Sequence, residues 1–115
     1  MTNTKRFVPK INDEMQKVIR DNKVAILISS GYGAGWYTWN LDHPELIFHP
    51  KLVEMVEQGR QKEITEKWVE EHLGIKNVYT GGAKDLDIEW LEVGTSFTIE
   101  EYDGSERLST DFLIA

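Results

Sequence analysis

Ser29-Ser30-Gly31-Tyr32-Gly33-Ala34-Gly35-Trp36-Tyr37-Thr38-Trp39-Asn40 is the stretch of this sequence best suited to chemistry. Glycine adopts positive φ freely and leaves its amide uncovered. Successive N–H groups in such a backbone form concave nests for anions. Tyr32, Trp36, Tyr37 and Trp39 offer faces on which a planar ring stacks. The pattern therefore predicts a site for a small anionic, ring-bearing ligand of the nucleotide kind. Gly31, Gly33 and Gly35 would donate backbone N–H groups, the four aromatics would stack, and Asn40 stands at the end of the segment. Charge would come from Lys84, in the second glycine-bearing loop Tyr79-Thr80-Gly81-Gly82-Ala83-Lys84-Asp85, or from Arg107. The spacing is not G-x-G-x-x-G, no clear helix follows, and the nearest basic residue downstream is Lys51, so neither a dinucleotide fold nor a Walker loop is indicated. A competing reading makes the glycines a packing device that lets the backbone pass close under tryptophans of the core.

Two further clusters carry titratable groups. Asp42, His43, Glu45 and His49 have the ligand types for a divalent metal. However, the histidines are not at the i, i+4 spacing of a helical pair, so a polar loop capping the next helix is expected and no metal site is assigned. Glu100, Glu101, Asp103 and Glu106 surround Asp103-Gly104. Paired carboxylates act as acid and base where their environments differ, but a hairpin tip is expected to hold these in solvent.

Charge and composition narrow the function. The 115-residue chain carries a net charge of −7 and no cysteine, which excludes disulfides, thiolate nucleophiles and sulfur-bound zinc. Residues 1–23 hold six basic and three acidic groups; residues 24–115 hold seven basic and seventeen acidic ones. Most of such a surface repels nucleic acid, so no direct nucleic-acid partner is expected. The longest apolar run, Val24 to Ile28, is far short of a membrane span. With no apolar segment after Met1–Arg6, a cytoplasmic protein without a signal peptide is expected. No motif calls for a cofactor. Surplus aromatics allow a homo-oligomer.

The elements that must position these residues form one α+β domain. Residues 1–9 read as a loose lead-in. Ile11, Met15, Val18 and Ile19 have the spacing of one helix face, with Asn12 or Asp13 as cap and Asp21-Asn22 as stop. Val24–Ile28 reads as a central strand buried on both faces. Leu46-Ile47-Phe48 reads as a short strand or turn. A helix begins at Pro50 and ends at Gly59, and a second carries Ile64, Trp68 and Val69 and stops at Gly74. An antiparallel meander follows. It comprises Leu86–Trp90, Phe97–Tyr102 and a last strand with Leu108, Thr110, Phe112 and Ile114 on one face, turning at Asp103-Gly104.

The strand, the glycine-aromatic loop Gly31–Asn40, the helical pair, Tyr79–Gly82 and the closing Glu101-Tyr102-Asp103-Gly104-Ser105-Glu106 together resemble a set of small proteins encoded in phages and prophages. The likeness runs from about Val24 to Leu108. The set has no assigned activity, so the resemblance implies provenance, and with it the host cytoplasm. Small phage accessory proteins often act on host machinery or sequester host molecules. Three functions follow. The first is a non-enzymatic protein that binds a nucleotide-like ligand or a host protein through Gly31–Asn40. The second is an acidic mimic of a polyanion that occupies a host nucleic-acid-binding protein. The third is a small hydrolase using the Asp42–His49 cluster or the terminal carboxylates.

Overall fold

The computed structural model describes residues 4–12 and 14–110. Its strands are β1 (Lys5–Phe7), β2 (Ile19–Arg20), β3 (Lys23–Ser29), β4 (Leu86–Glu92), β5 (Thr98–Tyr102) and β6 (Ser105–Ser109). Its helices are α1 (Pro50–Glu57) and α2 (Glu66–Leu73). Two antiparallel three-stranded sheets form, in the orders β2-β3-β4 and β1-β5-β6.

The continuous apolar run becomes β3, the middle strand of its sheet. Ala25 and Leu27 face a cluster with Leu52, Val53, Val69 and Leu86, so α1 and α2 cover that side. Ile26 and Ile28 face Tyr37, Phe48, Phe97 and Ile99, so the β1-β5-β6 sheet covers the other. The layers run helices, sheet, sheet. Each fully buried aliphatic side chain here contributes roughly 1.5–3 kcal/mol relative to exposure. β3 is not the single centre expected from the sequence, because a second sheet shares the core.

The helix pair forms as its signals indicate. Pro50 opens α1, where its missing N–H costs nothing, and His49 Nδ1 accepts the Lys51 N–H at 3.1 Å. Thr65 Oγ1 accepts the Trp68 N–H at 3.1 Å, and Gly74 ends α2 at φ 72°, the left-handed stop glycine tolerates best. Leu46 and Ile47 are buried in a 3-10 turn, Pro44–Ile47.

Three expectations are corrected. Residues 14–18 form no helix; Ile19–Arg20 is a strand paired with β3. Asp21 (φ 51°) and Asn22 (φ 64°) make a two-residue hairpin turn, a conformation these residues tolerate. Met15 and Val18 then pack into different clusters, so their helical spacing marks no common face. Asp13 lies outside the described residues. The lead-in is also ordered in part, since Lys5, Arg6 and Phe7 pair with Glu101, Glu100 and Ile99.

Finally, the meander is divided. β4 pairs with β3, Ala25 opposite Trp90 and Ile28 opposite Asp87, while β5 and β6 pair with each other. Alternation fixes which face of a strand is buried, not which neighbour it takes. The buried backbone of β3 needs partners on both sides, and β4 supplies one. Asp103 (φ 49°) and Gly104 (φ 87°) turn the β5–β6 hairpin, as the sequence indicates. Phe112 and Ile114 of the expected last strand lie outside the described residues.

Candidate binding site

β5 and β6 each present alternate residues inward. Ile99 and Leu108 face the apolar cluster, so two residues along in the hairpin Glu101 and Glu106 face inward too. They stand directly opposite each other in the register. Like charges in that position repel, yet both are buried, Glu106 with 2% of its surface exposed.

The glycine loop offsets that cost. Glu106 Oε2 accepts the N–H groups of Trp36 (2.8 Å) and Thr38 (2.9 Å) and the Thr38 hydroxyl (2.6 Å). Its Oε1 accepts the Ser29 N–H at 2.9 Å. Hydrogen bonds to an ionised acceptor are the strong kind. Glu101 Oε2 accepts Gly104 N–H at 2.8 Å and Trp39 Nε1–H at 3.2 Å. The segment Trp36–Thr38, with Ser29, therefore holds an anion, the protein's own Glu106, through donors other than the glycines expected from the sequence.

Neighbouring segments clamp the loop in place. Ser29 Oγ lies 2.9 Å from Gly82 O and 3.2 Å from Ala34 O. A Cβ on Gly82 would stand 2.5 Å from Gly35 O, and one on Gly104 would collide with Ala34 N. Asn40 Nδ2 donates to Trp36 O and Tyr79 O, both at 2.9 Å, and Asn40 Oδ1 accepts Tyr79 N–H at 2.8 Å.

These contacts correct the roles expected of several residues. Trp36 is fully buried, its Nε1–H on Leu46 O at 2.8 Å. Tyr37 is buried in the second cluster, and burial pushes its phenol pKa up. Trp36 therefore offers no face to a ligand, and Tyr37 keeps only 5% of its surface exposed. Gly33 N–H donates to Asp103 O at 2.6 Å, and a Cβ on Gly31 would collide with the Asp85 carboxylate, a poor neighbour for a bound anion. Gly35 is buried. Lys84 is exposed on the 3-10 turn Ala83–Asp85, and is not among the residues lining the cleft described below. The carboxylates expected in solvent at the hairpin tip are buried at Glu100, Glu101 and Glu106, and exposed only at Asp103.

Two of the four loop aromatics remain at the surface. Trp39 (42% exposed) stacks on Tyr79 (49%), ring centroids 5.5 Å apart and planes at 24°. Tyr32 (70%) and Tyr102 (48%) line a cleft of about 400 Å³ with Arg107, Glu100, Glu101, Thr4 and Ser105. So the structure brings two predicted residues, Tyr32 and Arg107, to one cleft.

The charge in that cleft comes from the outer face of the sheet. Arg6, Glu100 and Arg107 align across β1, β5 and β6. Arg6 NH2 donates to Glu100 Oε2 at 2.7 Å; Arg107 Nε donates to Oε1 at 2.8 Å, and its NH2 stands 2.7 Å from the same oxygen. Hydrogen bonds from Arg6, then from Arg107, hold the Glu100 pKa below the usual glutamate value.

In the other cluster, His43 Nδ1 stands 4.0 Å from Glu45 Oε1, while His49 caps α1. Burial chiefly, with Lys51 adding, lowers the His49 pKa. Among the described residues no three His, Asp or Glu side chains are grouped to hold a metal ion.

The sequence reading missed the roles of Glu106, Ser29, Arg6 and Tyr102. Strand parity carried the signal for Glu106, because it shares the inward face with Leu108. Nothing in the sequence places Arg6 beside Glu100, since that needs the pairing of β1 with β5. Comparison of the chain with family models, with curated proteins and with solved structures returns no match.

Proposed function

We propose that this is a non-enzymatic binding protein, a phage-derived accessory protein by its resemblance, which takes a small anionic, ring-bearing ligand in the cleft of Tyr32, Tyr102 and Arg107. The observation that carries this reading is the placement of two exposed phenol rings and an exposed guanidinium around one cavity of about 400 Å³, within the size range of small-molecule sites. The glycine loop contributes Tyr32 to the cleft, while its backbone donors at Trp36 and Thr38 serve Glu106. Calorimetry with a panel of nucleosides and nucleotides tests it. Binding is expected, weakened at least tenfold by Tyr32→Ala with Tyr102→Ala; no heat with any compound at millimolar concentration counts against it.

A second reading, recognition of a host protein, is favoured by the Trp39–Tyr79 pair. Asn40 holds the Tyr79 backbone and Glu101 accepts from the Trp39 ring before any partner arrives, which lowers the ordering cost of binding. The polyanion-mimic and hydrolase readings draw less support. Glu100 and Glu106 are engaged internally and add little to an acidic exterior or to catalysis.

A further inference from the structure

Resting on the cleft reading above, the charge arrangement narrows the ligand class. Arg6 and Arg107 share one carboxylate, so the triad with Glu100 carries one unit of positive charge beyond what Glu100 neutralises. Glu100 is only 10% exposed in its side chain, whereas Arg107 is 76% exposed. The countercharge thus lies below and the cation above. Arg107 turns Nε and NH2 to Glu100, which leaves NH1 for a guest. Arg6 holds the other oxygen of Glu100, so Arg107 is only partly compensated.

The opposite sign stands close by. Glu101 lines the same cleft, and Asp103 is exposed in the turn directly after Tyr102. An anionic group beyond the first would approach these carboxylates, and among the described residues no cation besides Arg107 lines the cleft. We infer that the site selects a planar ring bearing one phosphate-sized anionic group, and discriminates against both the uncharged ring compound and polyphosphates. Arg107 recognises the anion, Tyr32 and Tyr102 take the ring by stacking, and repulsion from Glu101 and Asp103 supplies the discrimination.

The test is calorimetry on the full chain with adenosine and uridine, their 5′-monophosphates and their 5′-triphosphates, without added metal. The monophosphates are expected to bind at least tenfold tighter than nucleoside and triphosphate, with affinity falling as salt rises. Arg107→Gln, at an exposed position, is expected to erase the advantage over the nucleoside and leave ring binding in place. Asp103→Asn is expected to raise triphosphate affinity selectively. Triphosphates binding as tightly as monophosphates, or an Arg107→Gln variant with unchanged selectivity, would overturn the inference while leaving the cleft a ligand site. Absence of binding by all six compounds would overturn the cleft reading itself, and the inference with it.

Discussion

The Glu106 carboxylate accepts the backbone N–H of Trp36 at 2.8 Å across a sequence separation of 70 residues. With Thr38 and Ser29 it ties the inward face of the last hairpin to the glycine loop, and so joins the two sheets.

Removing that carboxylate leaves buried N–H groups without an acceptor. Glu106→Ala is expected to cost about 3 kcal/mol or more, measured by urea unfolding. Glu106→Gln keeps one oxygen but turns an amide N–H₂ toward donors, so it too destabilises, by less. Added formate or acetate should partly restore the Ala variant, since a small carboxylate fits the vacated nest. Equal stability of wild type and Glu106→Gln would contradict the assigned hydrogen bonds.

Asn40 joins the glycine loop to Tyr79 through both ends of its amide. Asn40→Ala is expected to cost about 1–3 kcal/mol and to release Tyr79 from Trp39. Tryptophan emission should move to longer wavelength as Trp39 gains contact with water. An unshifted spectrum would show that stacking alone holds the pair.

Gly82 and Gly33 separate space from backbone conformation. Gly82 has φ −91°, open to any residue, but its Cβ would meet two carbonyl oxygens of the loop backbone. Gly33 has φ 97° with open space around it. Gly82→Ala is expected to cost about 1–3 kcal/mol by overpacking, and Gly33→Ala about 1–2 kcal/mol by backbone strain. Thermal denaturation should show the Gly82 variant also disturbing the environment of Trp36, and the Gly33 variant leaving it intact.

Glu100 and His49 both contribute to the acid side of the stability profile. The Glu100 pKa is lowered in the fold, so its contribution is complete above the unfolded value of about 4.3 and is lost as pH falls through the lower folded value. Glu100→Gln should flatten that limb. The His49 pKa is also lowered, so stability is expected to decline once pH falls below about 6.5, where the unfolded chain takes up the proton first. Protonation would also cost the Lys51 N–H its acceptor. His49→Asn keeps an acceptor at the cap and should remove the slope that begins below about pH 6.5.

How much was legible follows the range of the forces involved. The buried run Val24–Ile28, the two helices with Pro50, Gly59 and Gly74, and the Asp103-Gly104 turn are local matters of periodicity and φ preference, and all stand in the structure. Residues 14–18 were misread because helical spacing in Met15, Val18 and Ile19 was outweighed by the turn at Asp21-Asn22 and by pairing with β3. The glycine loop reads as an anion site through its glycine N–H groups, whereas the donors are Ser29, Trp36 and Thr38 and the anion is Glu106.

The sequence by itself determined the local conformations and the supply of groups: backbone donors between Gly31 and Thr38, rings at Tyr32 to Trp39, arginines at 6 and 107. Only the tertiary structure decided their use. Strand pairing between residues far apart in the chain brings Arg6 and Arg107 onto Glu100 and swings Glu106 beneath the loop. Those choices depend on which buried groups find partners across the whole core, and a sequence pattern, which ends within one element, carries no record of them.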